Sequence, residues 1–556
     1  MKNFKKYNRY DSFVLDDRTW PSNTITQAPI WGSVDLRDGN QALPVPMTVE
    51  KKLLMFRHLV QIGLKHIEVG FPFASETDYN FVRTLIEGGY VPDDVTVFIL
   101  SSCSRECIDK SFESLKGAKK AGIQIYSLCS PAQRKYVINM SKEELIQYTA
   151  DAAKYTRECT EKYPQTDFIL GYGPESFTIT EIELSLAICN SVVQAFNPTP
   201  ENKCLITLPS TVEVAMPNQF ADQVEYIHKN LVMRGNVILG VHTHNDRGTG
   251  VAAAELALLA GAQRLEGTLF GNGERTGNMD LVTVALNLYT TGIDPNLDFS
   301  NIEESIDVYE QCIGLDVHVR HPYAGKQVFT AYSGGHQDAI RKGLINREKS
   351  NEEKWLVPYI PIDPADLGRN MDSIIQINSQ SGKGGVLYVL ENALNITLPK
   401  QIQIEFGKHV KHVSDKESQL LSSDQVLEIF FEKYHFDNQL CQIRKIELEE
   451  NKNIVSINVC WREEELKLHA PHGEVINFCF EEIKKRCKLN NLKITQHINE
   501  QDCNGRYYTY IQIQDGNNPP CKAFVWGLDE NKTQLLALFS AIESTLAVMR
   551  EIVATG

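Results

Sequence analysis

The sequence predicts an α/β protein: a (β/α)₈ TIM barrel, then a helical linker region, then a duplicated C-terminal βββα domain. Three observations predict this architecture. Short, apolar, β-rich runs alternate with amphipathic helical stretches eight times between residue 27 and about residue 290. Polar residues able to do chemistry follow several of those runs. A similar block of three strands and one helix occurs twice near the C-terminus.

Bulk composition restricts the class of partner and the compartment. The 556 residues are 42% hydrophobic and 23% charged, with a net charge of −15 and a sequence pI of about 5.5. No Lys/Arg stripe interrupts this acidity, so we expect neither nucleic acid nor a membrane as partner. No run of 18 apolar residues occurs, and we expect no secretory signal because the N-terminal stretch lacks an apolar core region. The 13 cysteines are scattered and never form C-x-x-C, which favours reduced thiols and a cytoplasmic location.

The eight β-rich runs predict the barrel. They are APIWGSVDL, HIEVGF, VTVFIL, IQIYSL, FILGYG, CLITLP, VILGVHTH and RLEGTLF. Regular alternation of strand and helix implies a parallel sheet, and eight units in about 260 residues favour a closed barrel. A doubly wound open sheet is the alternative, but no G-x-G-x-x-G follows the first strand. In a barrel, functional groups belong at the C-terminal ends of the strands.

Composition divides the chain into four expected parts. An N-terminal arm covers residues 1–26, the catalytic barrel 27–300, helical linker subdomains 301–425, and the C-terminal domain 426–556. The last part holds the duplication. IRKIELEE, IVSINVCW and ELKLHA precede one helix, whereas KITQHINE, YYTYIQIQ and CKAFVWGL precede a second helix.

Two histidines and an aspartate predict a metal site. His242 and His244 are two residues apart on the seventh strand, so their side chains share a face, and Asp38 ends the first strand. Two imidazoles and one carboxylate suit Zn, Mn, Fe or Mg and leave positions open for substrate. H-x-H alone is a common chance pair, and the segment WGSVDLRDGNQ alone could be a surface turn. Convergence of the three residues at one barrel mouth favours the metal site.

The motifs DLRDGNQ, VHTHND and GNGERTGN together resemble those of the 2-isopropylmalate synthases, within the condensing and lyase barrels that share an Asp-Arg-Glu signature. RHPYAGKQVFTAYSGGHQDAI, VPYIPIDPADLGR and NSQSGKGGV extend the resemblance over most of residues 25–400. It implies an acyltransferase that joins acetyl-CoA to 3-methyl-2-oxobutanoate and hydrolyses the thioester, the first step of leucine biosynthesis. It also implies one divalent metal (Mg²⁺, Mn²⁺ or Zn²⁺), activation by K⁺, and a homodimer with shared active sites.

The resemblance assigns roles to individual residues. The implied metal ligands are Asp38, His242, His244 and Asn278. The implied substrate-binding residues are Leu100, Gln124, Gly173, Thr207 and Thr211. Arg37 would stabilise the charge that develops on the ketone oxygen, although a salt bridge across the barrel mouth is the alternative. His336 would act as base in the partner's site with help from Glu175. Without the family, His336 is only a loop histidine.

The glycine-rich segment GNGERTGN leaves two roles open. A glycine-rich loop after strand 8 is where barrels often bind phosphate, and acetyl-CoA carries phosphates. The glycines could instead free the backbone to place Asn278 on the metal, and we favour this second role.

Three positions depart from the family pattern around the substrate. Gln124 stands where these synthases usually carry histidine, Gly173 where they have serine, and Thr207 where they have asparagine. The choice of 2-oxo acid is therefore open, and a sister synthase that takes a bulkier acid, such as a benzylmalate synthase, is the nearest alternative. The C-terminal domain resembles the leucine-sensing regulatory domain of the same synthases, but its leucine-binding turn is altered, because residues 470–474 read APHGE. We expect weak leucine feedback, unless the turn has shifted by one residue and still binds leucine.

Other classes fit less well. The duplicated C-terminal domain argues against a hydroxymethylglutaryl-type lyase or a metal aldolase. A biotin carboxyltransferase is disfavoured because no Ala-Met-Lys-Met segment occurs. Retention of the metal and base residues argues against a non-catalytic paralogue.

Overall fold

The computed structural model describes residues 6, 13–331, 333–350, 352–369, 386–387, 390, 393–394, 398, 400–417, 421–434, 441–449, 453–501 and 505–555. Most of the segment NSQSGKGGV therefore lies outside the described residues. The chain forms two compact units, one of residues 1–329 with 362–370 and the other of residues 330–361 with 371–556. The division into four parts at residues 26, 300 and 425 stays a prediction.

The first unit contains the predicted barrel. Eight parallel strands pair in sequence order, and the first pairs with the last to close the sheet. The strands are β1 (Ile30–Ser33), β2 (His66–Gly70), β3 (Thr96–Ser102), β4 (Lys120–Leu128), β5 (Asp167–Glu175), β6 (Cys204–Ser210), β7 (Val237–Thr243) and β8 (Arg264–Gly267). The (β/α)₈ prediction is confirmed and the open-sheet alternative is wrong, because β1 and β8 share a ladder.

Helices surround this sheet, and local sequence signals start several of them. The barrel helices are α1 (Val49–Gln61), α2 (Glu76–Glu87), α3 (Arg105–Leu115), α4 (Lys142–Thr160), α5 (Ile182–Phe196), α6 (Pro217–Asn230), α7 (Gly250–Leu259) and α8 (Leu281–Thr290), followed by α9 (Ile302–Ile313). Thr48, Ser75, Ser104 and Ser141 cap α1 to α4, each accepting a backbone N–H with its hydroxyl. These caps place each helix start directly after a loop at the C-terminal mouth of the barrel.

The second unit contains the predicted duplication. Its helices are α10 (Gly334–Ser350), α11 (Lys400–Glu417), α12 (Ser423–Tyr434), α13 (Val475–Arg486) and α14 (Glu530–Thr555). Its strands are β9 (Cys441–Glu449), β10 (Ile454–Trp461), β11 (Glu464–Pro471), β12 (Leu492–Gln501), β13 (Tyr507–Asp515) and β14 (Cys521–Gly527). They form two antiparallel three-stranded sheets, each followed by a helix, around one apolar core. The βββα duplication is confirmed.

A helix that crosses a bilayer needs about 20 predominantly apolar residues. Among the residues that the structure describes, no helix is long and apolar enough to cross a membrane.

Candidate active site and metal centre

Asp38 lies in a tight helical turn and not in a strand. Strand β1 ends at Ser33, and Asp35–Gly39 then form one turn of π-helix in which the Gly39 N–H donates to the Val34 carbonyl at 3.0 Å. The prediction that Asp38 ends the first strand is therefore wrong in this detail. Asp35 stops the ladder, because its buried carboxylate accepts from the Ser33 hydroxyl at 2.8 Å and from the Leu269 N–H at 3.0 Å. The turn places Arg37 and Asp38 at the barrel mouth.

Asp38, His242 and His244 converge as predicted. One potential ligand atom from each lies within 4.8 Å of the other two, and all three residues are buried. Oδ2 of Asp38 lies 3.4 Å from Nε2 of His242 and 3.6 Å from Nε2 of His244. Both imidazoles therefore present the same ring nitrogen to one carboxylate oxygen. Two imidazoles and a carboxylate in this arrangement fit a divalent transition metal or Mg²⁺.

Polar atoms without partners point to the same conclusion. Among the residues that the structure describes, Oδ2 of Asp38, Nδ1 of His244 and Oδ1 of Asn278 are buried and have no hydrogen-bond partner. Buried polar atoms are costly to leave unpaired, so a group of them at one site is typical of a site that binds a ligand. All three atoms belong to predicted metal ligands, although His244 presents its Nε2, and not this Nδ1, to Asp38. The residues present fit a metal ion, and the place of Asn278 among its ligands stays a prediction.

The glycine-rich loop after β8 packs tightly around Asn278. The Nδ2 group of Asn278 donates to the Asn272 carbonyl at 3.1 Å. A Cβ atom at position 273 would lie 2.3 Å from this same Nδ2, and one at position 277 would lie 1.9 Å from the Gly271 carbonyl oxygen. Gly277 also has a φ of +98°, a conformation that favours glycine. These contacts favour the view that the glycines position Asn278, and they show no feature that requires a phosphate.

Glu266 on β8 contacts the His242 imidazole. Its part in the site was not predicted from the sequence. Oε2 of Glu266 lies 3.1 Å from Nδ1 of His242, and Glu266 is 1% exposed. A carboxylate on Nδ1 fixes the imidazole tautomer and leaves the Nε2 lone pair for the metal. A signal for this residue exists in RLEGTLF, where a single carboxylate interrupts an apolar strand. An inward-facing carboxylate of that kind needs a partner inside the barrel.

The two histidines differ in their proton affinity. Burial opposes a charged His242, yet Asp38 and Glu266 outweigh burial and raise its pKa to about 9. Burial and the neighbouring His242 lower the pKa of His244 to about 4. Burial also opposes the ionised form of Asp38, but Arg37 holds the pKa of that carboxyl well below its usual range. The carboxylates that favour a proton on His242 would equally favour a bound cation.

Arg37 links Asp38 to a second missed carboxylate, Glu68. Its Nη1 donates to Oδ1 of Asp38 at 2.8 Å, and its Nε donates to Oε1 of Glu68. The Arg37 side chain is 11% exposed and that of Glu68 is 2% exposed. Glu68 lies on β2 in HIEVGF, again a lone carboxylate in an apolar strand. A guanidinium has five N–H groups, so this pairing leaves donors free for a substrate.

The five predicted substrate-binding residues line one cavity of about 290 Å³ together with Glu175 and three of the four predicted metal ligands, Asp38, His242 and His244. The five are Leu100, Gln124, Gly173, Thr207 and Thr211. Thr207 contributes a hydroxyl that lies 3.4 Å from Oε1 of Gln124 and 3.4 Å from Oε1 of Glu266. Burial raises the pKa of Glu175, although Gln133 donates to its carboxylate at 3.0 Å. The Thr211 hydroxyl accepts from the Ser176 N–H at 2.9 Å.

These residues divide between two arcs of the barrel. Residues that surround the metal site come from β1, β2, β7, β8 and the loops that follow them. Residues of the opposite wall come from β3 to β6 and from the turn after β6. The order of the strands in the closed sheet therefore separates the metal arc (β7, β8, β1 and β2) from the substrate arc (β3 to β6).

His336 lies outside the unit that contains the barrel. It is near the start of α10, is exposed, and stacks on Tyr359 with ring centroids 4.0 Å apart. The structure therefore does not place His336 in the same unit as the other predicted site residues. Its role stays a prediction.

The fold and the site define the class: a metal-dependent enzyme built on a (β/α)₈ barrel. A family model described as "HMGL-like" matches residues 28–308. A model described as "Alpha-isopropylmalate synthase, post-catalytic domain-like" matches residues 326–391.

Curated relatives narrow the class to a family. The chain is 46% identical over 549 residues to the 2-isopropylmalate synthase of Pseudomonas entomophila, covering 98% of this chain and 97% of the relative. It is 51% identical to that of Acetoanaerobium sticklandii, covering 78% and 76%, and 52% identical to that of Ralstonia nicotianae, covering 77% and 74%. The chain belongs to the 2-isopropylmalate synthase family and is an acyltransferase.

Proposed function

We propose that this enzyme condenses acetyl-CoA with a 2-oxo acid at a divalent metal held by Asp38, His242, His244 and Asn278, and then hydrolyses the thioester. The convergence of the first three residues on one buried point carries the proposal. Membership of the 2-isopropylmalate synthase family supports the leucine-pathway reaction, in which 3-methyl-2-oxobutanoate gives 2-isopropylmalate.

The residues divide the chemistry between them. When bound, the metal supplies a Lewis acid that polarises the ketone. Arg37 offers its free N–H groups to the oxygen on which negative charge develops, and its pairing with Glu68 holds the guanidinium in place. Glu175 lines the same cavity, and burial makes its carboxylate a stronger base than in water. Glu175 thereby assists His336 in removing a proton from the acetyl methyl group.

The cavity favours a 2-oxo acid with a single carboxylate. Among the described residues that line it, the cationic side chains are Arg37 and Arg275. Arg37 is paired with Asp38 and Glu68, and in this proposal its remaining N–H groups serve the ketone oxygen, whereas Nε of Arg275 donates to Asp246 at 2.7 Å. A second carboxylate on the substrate side chain would therefore meet no available cation, and burying an unpaired charge is strongly unfavourable. This charge pattern supports an uncharged side chain on the acceptor.

The side-chain preference is broader than 3-methyl-2-oxobutanoate alone. A Cβ atom at position 173 would lie 3.4 Å from the Thr207 carbonyl oxygen and 3.7 Å from Nε2 of Gln124, which is ordinary van der Waals contact. A serine would therefore fit at this position and fill part of the cavity, so Gly173 enlarges the space for the acid. This enlargement supports acceptance of bulkier acids, including those of a benzylmalate-type reaction.

A homodimer with shared sites accounts for the exposed apolar side chains on the barrel's C-terminal loops. Five apolar side chains on the segments after β2, β4 and β6 are between 40% and 76% exposed, namely Phe73, Tyr136, Val137, Val212 and Met216. An apolar rim of this kind suits coverage by another protein surface. We propose that the partner subunit provides this surface and, with it, His336.

Leucine control is weak in this proposal because the helix N-termini of the second unit already carry carboxylates. Glu474 is the N-cap residue of α13, and its side chain makes no capping hydrogen bond. Asp529 accepts from the Lys532 N–H at 2.8 Å at the start of α14. A helix N-terminus attracts the carboxylate of an amino acid, and a like charge there opposes its binding.

Two further parts of the proposal are the cellular location of the enzyme and the ions that it uses. Every cysteine that the structure describes is free, which supports a cytoplasmic location. Activation by K⁺ and the identity of the divalent metal rest on the family resemblance alone.

Thiol release from acetyl-CoA against a panel of 2-oxo acids tests the activity, and metal analysis tests the site. His242→Ala should lose both bound metal and activity. His58→Ala is the matched control, because His58 is a buried histidine of the same barrel that contacts Ser305 at 2.9 Å and does not line the cavity. Full activity in metal-free His242→Ala enzyme would disprove the metal site, and no thiol release with any 2-oxo acid would disprove the reaction.

A further inference from the structure

A fully buried arginine lies beneath the metal residues. Arg264 begins β8, two residues before Glu266, so both side chains point into the barrel. It is 1% exposed. Its Nη1 donates to Oε1 of Glu266, its Nε lies 3.3 Å from Nδ1 of His66, and its guanidinium lies 5.1 Å from the centre of the Phe98 ring. Burial and the adjacent Arg264 lower the pKa of His66 to about 3, so this imidazole accepts from the arginine.

A glycine on the neighbouring strand β1 makes room for this arginine. A Cβ atom at position 32 would lie 2.5 Å from Nη2 of Arg264, so any larger residue there would displace the guanidinium. On the other side, Gly240 of β7 lies opposite Arg264 in the ladder, where a Cβ would make only ordinary contact with the Cβ of Arg264 at 3.6 Å. Burial of a guanidinium is costly, which makes a purely space-filling role a poor explanation.

Arg264 connects to the metal site through Glu266. Oε1 of Glu266 is occupied by Arg264 and lies 3.4 Å from the Thr207 hydroxyl, which leaves Oε2 for Nδ1 of His242 at 3.1 Å. Holding one oxygen of a carboxylate fixes the direction of the other. The other ring nitrogen of His242 then points at Asp38.

We propose that Arg264 is a positioning residue for the divalent metal, acting through Glu266 to orient the His242 imidazole. The inference rests on the proposed metal site. Partners of a metal-bound histidine typically change metal affinity by about 10–100-fold when they are removed. Arg264 lies one step further out and acts by holding Oε1 of Glu266, which directs Oε2 at His242. Its removal should therefore weaken metal binding without removing any ligand.

The test measures metal affinity rather than turnover. Arg264→Met, Arg264→Lys and Glu266→Gln are stripped with a chelator and titrated with Mn²⁺ by calorimetry, and melting temperature is recorded in parallel. We expect about tenfold or greater weakening for Arg264→Met and Glu266→Gln, with affinity recovered to within a few-fold in Arg264→Lys. Arg234→Met is the matched control. Arg234 is a partly buried arginine that donates to the Val237 carbonyl at 2.7 Å, at the opposite end of β7 from His242.

A double variant separates positioning from general destabilisation. If Arg264 acts through Glu266, Arg264→Met combined with Glu266→Gln should bind Mn²⁺ about as weakly as Glu266→Gln alone. Gly32→Ala supplies a second approach should Arg264→Met fail to fold, because it crowds the guanidinium without deleting it, and it should weaken binding too. Wild-type affinity in a folded Arg264→Met or Gly32→Ala protein, or losses that add in the double variant, would overturn the proposal. Unchanged Mn²⁺ binding by His242→Ala would instead reject the metal site itself.

Discussion

Replacing Arg37 by glutamine should harm the enzyme in two separable ways. The first concerns stability. Arg37 pairs with Glu68, whose side chain is 2% exposed, so its removal strands a buried carboxylate. Breaking a buried ion pair from one side typically costs about 3–5 kcal/mol. We therefore expect Arg37→Gln to lower the free energy of unfolding by an amount in this range, measured by urea denaturation.

The second effect concerns the chemical step. Removing one donor that stabilises a developing oxyanion lowers kcat by about 10²–10³-fold, or about 2.7–4 kcal/mol. Arg37→Gln should show a loss of this size at saturating metal and substrate. Saturating metal is essential because Arg37 also donates to Asp38 at 2.8 Å, and its loss can weaken metal binding.

The double variant Arg37→Gln with Glu68→Gln distinguishes the two effects. It removes both charges of the pair, so most of the lost stability should return. The kcat should stay low, because the oxyanion donor is still missing. If kcat also returned to near the wild-type value, Arg37 would be a structural salt-bridge residue and the catalytic role would be refuted.

Three further predictions concern the dimer, the substrate and control. Mixing inactive His336→Ala with inactive Asp38→Ala chains should restore part of the activity, and no recovery after verified subunit exchange would count against shared sites. Thiol-release assays should show a mixed acid profile, in which Gly173→Ser lowers kcat/KM for bulky acids relative to 3-methyl-2-oxobutanoate by about tenfold, since one methylene-sized change is worth about 1–3 kcal/mol. A hundredfold wild-type preference for 3-methyl-2-oxobutanoate over every larger acid would exclude this idea. Leucine at millimolar concentration should inhibit only weakly, whereas micromolar inhibition that disappears on deleting residues 430–556 would show that the second unit senses leucine.

The barrel was predictable because its signal is repeated eight times along the chain. The convergence of His242 and His244 was predictable as well, because a spacing of two residues places both rings on one face of a strand. Asp38 was correctly predicted to converge with them, although its backbone is a π-turn and not a strand end. That turn depends on contacts of Asp35 with Ser33 and with the Leu269 N–H, more than 230 residues away. The sequence around Asp35 could not predict this turn, because it does not show which distant residue the Asp35 carboxylate contacts.

The missed residues share one property. Each is a charged residue within a largely apolar strand, with Glu68 on β2 and both Arg264 and Glu266 on β8, where the sequence gives them the pattern of edge or surface positions. Their importance depends on closure of the sheet, which turns these positions inward and brings them within contact of residues on other strands. An inward-facing charge needs a partner inside the barrel, and this requirement could have identified the three residues. It could be applied only once the register of the barrel strands was known.

The separation of the metal arc from the substrate arc has an evolutionary consequence. With Glu175 retained, substitutions on β3 to β6 can alter which acid is accepted while the metal residues and Arg37 stay untouched, so new substrates can be explored without loss of the reaction. The three departures from the family pattern, Gln124, Gly173 and Thr207, all lie on the substrate arc. The segment from β3 to β6 therefore suits exchange between relatives. A chimaera that carries this segment from another family member should show the acid selectivity of that member.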